Sequence, residues 1–371
     1  MPSLYIGLMS GTSLDAIDAA LIELDDTQCK LIATHNHDWP ISLRHDLLTL
    51  CKDPNTSLQH LGEADTACGE LFAEAVEQLL QKSEYTFDAV RAIGSHGQTI
   101  FHSPSGKHPF SMQIGNASLI AERTGITTVA DFRSRDIAAG GEGAPLVPAF
   151  HAALLRSSNR ERVIANIGGI ANITRLTTSS DDEILGFDTG PGNVLMDSWA
   201  ARHLDSPLDF DGNWARSGQV DQQLLAALSS EPYFDLAPPK STGRELFNID
   251  WLDAILANEQ REIPIANVQR TLCELTAATL CDAARSCSAI GSELIICGGG
   301  VHNSALLDAI NNNLPGYQVT TTAEHGVDPD WVEAMAFAWL AAQTLDNKPG
   351  NLPSVTGANH PAVLGAIHPG G

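Results

Sequence analysis

Two stretches of this 371-residue chain are built alike, and that likeness constrains the fold more than any other feature. Leu4 to Met9 is an apolar run, Ser10-Gly11-Thr12-Ser13 is a turn of small residues, and Ala16 to Leu24 resumes a strand pattern. From Val163 an apolar run to Ile167 meets Gly168-Gly169, and Ala171 to Leu176 is a second strand. Apolar runs broken by glycine and hydroxyl residues read as hairpins. Two such openings, about 160 residues apart, predict a duplicated chain in which each half starts with its own hairpin. A chain of 371 residues exceeds what one hydrophobic core organises, so two lobes follow from length as well.

Further elements fall around these hairpins. Leu58 to Leu80 carries helical periodicity. Ala89 to Ser95 reads as a short strand ending at Gly94-Ser95-His96-Gly97, and Glu183 to Phe187 as a strand followed by Asp188-Thr189-Gly190-Pro191-Gly192-Asn193. Val194 to His203 then reads as a helix. Glu293 to Cys297 is a strand, Gly298-Gly299-Gly300 a glycine loop, and Asn303 or Ser304 caps a helix over Ala305 to Asn312. Trp331 to Thr344 is a late helix.

Glycine turns at strand ends are where this chain can do chemistry. In Gly11-Thr12-Ser13-Leu14-Asp15, glycine beside hydroxyls lets backbone N–H groups approach phosphate oxygens, although an ordinary hairpin needs the same residues. At Asp188 a carboxylate at a strand end precedes two glycines, which sets a base beside a ligand-contacting loop; capping the next turn is its plainer use. Gly298 to Gly300 lets a flat ligand lie on backbone, or makes a tight strand-to-helix turn. No G-x-x-x-x-G-K-[ST] occurs, which disfavours a P-loop fold.

Charge narrows the partners. The formal net charge is −24, which repels nucleic acid and anionic membrane. A nucleotide would then be held by backbone N–H groups, helix N-termini and a divalent cation, not by a basic patch. The cysteine count is odd at seven with no C-x-x-C pair, which points to free thiols in a reducing cytoplasm. No segment is long and apolar enough to span a bilayer, and the N-terminus lacks a basic leader.

The segment Ala130 to Pro145 reads as a loop holding Asp131, Arg133, Arg135 and Asp136 with three glycines. Arginine there suits a carboxylate-bearing substrate, and a solvated salt-bridged loop is the plainer account. Gly94-Ser95-His96-Gly97-Gln98-Thr99 offers hydrogen bonds to sugar hydroxyls, while His96 could equally be structural. Glu333 sits on an otherwise apolar helix, where packing does not explain it.

With these residues in place, the chain closely resembles the anhydro-N-acetylmuramic acid kinase family. The matching segments are MSGTSLDAIDAAL, GSHGQTIFHSP, DFRSRDIAAGGEGAPLVPAFH, NIGGIANIT, GFDTGPGN, STGRELFN, ICGGGVHN, EAMAFAWLA and LPSVTGA, from residue 9 to residue 358. Ala16 stands where the family favours glycine. The resemblance implies the duplicated, ribonuclease H-like α/β fold of acetate and sugar kinases, Hsp70 and actin, two-lobed with ATP in the interlobe cleft. Residues 1–128 would form the first lobe and 129–371 the second, with the C-terminal tail packing back on the first.

The implied activity uses ATP and Mg²⁺ to open and phosphorylate 1,6-anhydro-N-acetylmuramic acid, giving N-acetylmuramate 6-phosphate in peptidoglycan recycling. The resemblance makes Asp188 the base that activates water. It places Gly11, Thr12, Ser13, Leu14, Asp15, Ala16, Ile17 and Asp18 at the ATP phosphates, with Asp15 reaching Mg²⁺ through waters. Gly168, Gly169, Gly298, Gly299, Gly300 and Asn303 complete the nucleotide contacts. Charge complementarity adds His96, Gln98, Arg133 and Arg135 for the sugar and its lactyl carboxylate, and Glu333, which packing does not explain, is counted with them at the sugar. A homodimer is compatible with the family and with the apolar late helix. The competing readings are a kinase for another sugar or a carboxylic acid, and a non-catalytic nucleotide-dependent sugar-binding protein.

Overall fold

The computed structural model describes residues 2–11, 14–25, 28–53, 55–179 and 183–371, and the chain divides into two compact units. One comprises Met1–Leu154 and Trp331–Gly371, the other Leu155–Asp330.

The first unit opens with an antiparallel meander of β1 (Ser3–Ser10), β2 (Ile17–Leu24) and β3 (Cys29–His37). β4 (Val90–Ser103) pairs parallel to β1 and forms a hairpin with β5 (Phe110–Ile114). β6 (Thr128–Ala130) pairs parallel to β4. The second unit repeats the plan. β7 (Arg162–Ile167), β8 (Ile170–Leu176) and β9 (Leu185–Pro191) form the meander. β10 (Glu293–Cys297) is parallel to β7, and β11 (Gln318–Thr321) parallel to β10. The chain then returns to the first unit, where β12 (Ala366–His368) pairs antiparallel to β6. The strand orders are β3-β2-β1-β4-β6 and β9-β8-β7-β10-β11, the same topology twice. This is the duplicated ribonuclease H-like α/β fold.

Helices cover the sheets where their apolar stripes dictate. In Leu58–Gln81, capped by the Ser57 side chain, Ala64, Cys68, Phe72 and Val76 recur every fourth residue and are buried against the first sheet. The Val332–Leu345 helix is apolar nearly all round, as a fully enclosed helix must be, and packs on β1 and β4. Glycine makes that approach possible. A Cβ at Gly7 would stand 1.7 Å from the Ala334 carbonyl oxygen, and one at Gly94 2.0 Å from that of Phe337. In the second unit the Ile265–Cys287 helix buries Val268, Leu272, Leu275 and Leu280 beneath the sheet.

Several elements differ from the sequence reading. The boundary lies at 154/155, not 128/129, because β6 bonds to β4 and the helix after it stays with the first sheet. The tail from Trp331, read as a part of the second lobe that packs back on the first, groups with the first unit through the Val332–Leu345 helix and β12. β4 runs through Gly94-Ser95-His96-Gly97 to Ser103, because β1 and β5 both supply it with hydrogen-bond ladders. The segment read as a loop contains a helix, Phe132–Ala138. All seven cysteines are free thiols, and no described helix is long and apolar enough to cross a membrane.

Candidate active site

β7, β9 and β10 run in one direction, so the loops that follow them share one edge of the second sheet. That is the edge where α/β sheets bind ligands. The loops interlock. Gly192 N–H donates to the Gly169 carbonyl at 2.9 Å and Asn193 N–H to that of Gly168 at 2.8 Å. A Cβ at Gly192 would meet the Gly168 oxygen at 2.3 Å. Gly298, at φ 78°, lies against β7, where a Cβ would come within 2.4 Å of Asn166 Oδ1. Gly299 differs, because a Cβ there would find nothing nearer than 3.8 Å. Its bare backbone is exposed at the sheet edge. Asn303 is the N-cap of the Ser304–Asn313 helix, its Oδ1 accepting from Leu306 N–H at 3.0 Å.

Asp188 lies inside β9, three residues before its end, not beyond the strand as the sequence suggested. A segment some fifty residues away braces it. Asp188 N–H donates to the Lys240 carbonyl at 3.1 Å, and Tyr233 Oη–H donates to the Asp188 carbonyl at 2.8 Å. Thr242 N–H donates to Asp188 Oδ2 at 3.0 Å. Lys240 closes this segment on itself. Its Nζ donates to the carbonyls of Tyr233 and Phe234, at 3.2 and 3.1 Å, and stands 4.7 Å from the centre of the Tyr233 ring. Burial pushes the Asp188 carboxyl up to about 6, opposed by the Thr242 hydrogen bond and reinforced by the nearby Glu245 charge. A base poised near neutrality suits proton abstraction from water.

The brace is formed by Tyr233 and the segment Lys240 to Asn248, to which the sequence reading gave no role. It also carries Arg244, an exposed guanidinium that forms no ion pair among the described residues. A Cβ at Gly169 would stand 3.5 Å from Arg244 Nη2. A cation over a glycine turn fits a phosphate group. The signal for it was the S-T-G-R run, a glycine turn ending in arginine, matched as a segment but not read as a site.

In the first unit, the described part of the β1–β2 connection comprises Gly11 and 14–16; Thr12 and Ser13 lie outside the described residues. Leu14, at φ 53°, and Ile17 are fully buried in the core, so only their backbone can meet a ligand. Asp15 is 78% exposed, 3.7 Å from Arg44. Asp18 Oδ1 accepts from Asn36 Nδ2 at 2.7 Å.

Beside the Val332–Leu345 helix, β4 presents His96, whose ring lies 4.7 Å from that of Phe337. His96 Nδ1 is 2.8 Å from the Gly97 carbonyl, and Nε2 lies 2.9 and 3.2 Å from Arg133 Nη2 and Nε. A carbonyl only accepts and a guanidinium only donates, so Nδ1 carries the proton and the imidazole is neutral. Burial and the Arg133 charge hold it down to about 3. Arg133 Nη1 also donates to the Gly143 carbonyl at 3.0 Å, and burial lowers the guanidinium to about 10 against the fields of Glu333 and Asp136. The Nε–Nη2 edge, which would take a carboxylate bidentately, is therefore spent on His96. Burial and the Asp18 charge raise the Glu333 carboxyl, with Arg133 opposing.

Gln98 is a correction to the sugar-contact expectation. It has no accessible surface, and its amide accepts from Ser10 Oγ at 2.7 Å and donates to the Thr99 carbonyl at 3.1 Å, tying β4 to β1. Asp136 is likewise structural. Fully buried, it accepts from Gly143 N–H, Asn351 Nδ2 and Thr356 Oγ1 at 2.7 to 2.8 Å. Arg135 is exposed in the last turn of the Phe132–Ala138 helix.

With this geometry in view, comparison with known proteins is direct. A family profile described as anhydro-N-acetylmuramic acid kinase matches residues 3–370. A protein of that name from Coxiella burnetii is 52% identical over 98% of this chain and 97% of its own. Another of that name, from Pasteurella multocida, is 50% identical over 98% of this chain and 96% of its own. Among solved structures, a ROK family glucokinase from Streptomyces griseus, in complex with glucose and AMPPNP, aligns over 92% of this chain and 100% of that one, at 13% identity and TM-score 0.41.

Proposed function

Because the chain belongs to the anhydro-N-acetylmuramic acid kinase family, we propose that it opens and phosphorylates 1,6-anhydro-N-acetylmuramic acid, with Asp188 as the base. The observation that carries the base assignment is the carboxylate in β9, raised to about 6 and oriented by one backbone N–H on Oδ2. Among the described residues its other oxygen makes no hydrogen bond and is left for a proton. Asp188 takes the proton of a water whose oxygen bonds to C1 of the sugar. The C1–O6 bond breaks, and O6 takes the γ-phosphoryl group of ATP while ADP leaves. Such transfer rests on positioning and charge neutralisation.

The loops at the sheet edge of the second unit fit a nucleotide. Gly299 leaves its backbone open, and Arg244 beside Gly169 supplies a cation for phosphate. No group of three metal-ligating side chains occurs among the described residues. Mg²⁺ commonly keeps several waters and takes further oxygens from substrate phosphates, so one carboxylate reaching it through water suffices. Asp15, open to solvent, is the residue that would do so. Bound Mg²⁺ supplies charge neutralisation at the phosphates. Residence in the cytoplasm accords with seven free thiols, and self-association into a homodimer is part of the same reading.

The test is turnover of 1,6-anhydro-N-acetylmuramic acid with ATP and Mg²⁺ in H₂¹⁸O, beside Asp188→Asn. A 6-phosphate carrying ¹⁸O at C1, slowed about 10³-fold or more in the variant, is expected. Equal rates in both proteins would remove Asp188 from the chemistry, and no turnover of this sugar would overturn the substrate.

A further inference from the structure

Asp188 ends a row of polar residues that crosses four strands of the second unit. Asn172 on β8 pairs directly with Asp188 on β9, and on its other side with Asn166 on β7. Asn166 pairs with Cys297 on β10, whose Sγ donates to Asn166 Oδ1 at 3.9 Å. Directly opposed residues of an antiparallel pair leave the same face, with Cβ atoms about 5 Å apart. The alternate residues Ala165, Ile167, Ala171, Ile173 and Phe187 belong to the core on the opposite face.

Two observations set Asn172 apart from an ordinary strand residue. It is partly exposed, and its amide forms no hydrogen bond among the described residues. The strand beside it is also irregular. Asn172 pairs with Asp188 but Ala171 with Gly190, so Thr189 is an extra residue, held by its Oγ1 donating to the Ala171 carbonyl at 3.2 Å. Such a bulge bends the strand and interrupts the ladder, a device common beside active sites.

The row also indicates what Asn172 would meet. At one end Gly298 of the glycine loop lies against Asn166, and at the other stands Asp188. Between a nucleotide on the loops and a base at Asp188 comes the phosphoryl group in transit. Its negative charge is opposed by the Asp188 carboxylate and by a chain of net charge −24. An asparagine amide offers two N–H donors and adds no charge. The nearby cations are placed elsewhere. Arg244 reaches the Gly169 turn, and Lys240 Nζ is spent on the carbonyls of Tyr233 and Phe234.

We propose that the Asn172 amide is a catalytic hydrogen-bond donor to the γ-phosphoryl group as it passes from ATP to O6 of the sugar. The inference rests on the kinase reading. In that step a bond forms between O6 and phosphorus, the bond from phosphorus to the β–γ bridging oxygen breaks, and ADP leaves with that electron pair. Asn172 Nδ2–H donates throughout and gives up no proton. A donor aimed at charge in the transition state acts on kcat more than on binding.

Asn172→Ala and Asn172→Asp test this in two measurements. In turnover, Asn172→Ala should lose about 10- to 100-fold in kcat at nearly constant KM for ATP and sugar, and Asn172→Asp, which sets a second carboxylate opposite Asp188, should lose more. In calorimetry with Mg²⁺, ADP alone should bind the unmodified protein and Asn172→Ala within about twofold of each other. The extra affinity that aluminium fluoride adds, as a mimic of the phosphoryl group in transfer, should fall about tenfold or more in Asn172→Ala. Because the amide has no partner in the fold, Asn172→Ala should melt close to the unmodified protein, which separates lost catalysis from lost folding. An unchanged kcat, or an equal gain from aluminium fluoride in the two proteins, would overturn the proposal. So would equal losses with and without aluminium fluoride, which would place Asn172 at the resting nucleotide. Failure of the unmodified protein to turn over 1,6-anhydro-N-acetylmuramic acid would instead strike the kinase reading, since the aluminium fluoride titration needs no sugar.

Discussion

The two units share one strand order but put their special residues in different places. In the first, glycine and polar residues sit inside the strands. Gly7 and Gly94 let the Val332–Leu345 helix lie backbone to backbone on the sheet, and Ser95, His96 and Gln98 are buried along β4. In the second, the corresponding β10 is Glu-Leu-Ile-Ile-Cys, buried throughout and without glycine, while Gly168, Gly169, Gly192 and Gly298 to Gly300 sit in the loops after β7, β9 and β10. One topology therefore serves two ends. Strand glycines in the first unit solve a packing problem, while in the second Gly299 leaves open the backbone that the proposed nucleotide site would use.

The comparison breaks most sharply at the glycines. Gly7→Ala places a methyl 1.7 Å from a backbone oxygen that no rotamer change can move. It should cost about 3 kcal/mol or more of stability, read from the urea midpoint. Gly299→Ala meets nothing nearer than 3.8 Å and should cost within about 0.5 kcal/mol. Its effect should appear as a raised KM for ATP. Similar losses of stability at both positions would refute the division of labour.

Next in size is Lys240→Met, which opens the brace around Asp188. We expect kcat to fall about tenfold at nearly constant KM for both substrates, with partial recovery in Lys240→Arg, consistent with a positioning role. An unchanged kcat would show that β9 alone holds the carboxylate. Arg244→Ala should raise the KM for ATP about five- to tenfold and leave the sugar KM alone.

The smallest effect is in pH dependence. Asp188 must be ionised to accept a proton, so kcat should fall with acid below about 6 and level off above it. The folded carboxyl holds its proton more tightly than the unfolded one, so Asp188 makes the protein less stable as pH rises from the ordinary carboxylate range through about 6. Asp188→Asn should accordingly melt higher than the unmodified protein at pH 7 and not at pH 4. A lower melting point at pH 7 would mean that the ionised carboxylate stabilises the fold.

Much was legible before any coordinates. Val194–His203 and Glu293–Cys297 have the bounds that periodicity and flanking glycines indicated, and Asn303 caps its helix as its side chain predicts. The repeated hairpin pointed to a duplication that the strand orders show. β4 was misjudged because Gly-Ser-His-Gly-Gln has neither alternation nor β-branched residues. It is a strand because neighbours on both sides complete its hydrogen bonds, an instance of context outweighing propensity. Asp188 could be singled out, but not Tyr233, Lys240 and Thr242, since no periodicity links residues about fifty positions apart.

What the sequence alone determined is the local part: which runs are strands, which turns need glycine, which helix has no polar face, and that the chain is acidic. Those follow from side-chain shape, φ preference and hydrophobic spacing within a few residues. The tertiary structure decided the rest. It returned residues 331–371 to the first unit, spent the Arg133 fork on His96, sealed Gln98 and left the Ser95 hydroxyl unpaired. Each of these depends on which distant group satisfies a hydrogen bond or fills a void, and that is settled only when the whole chain has packed.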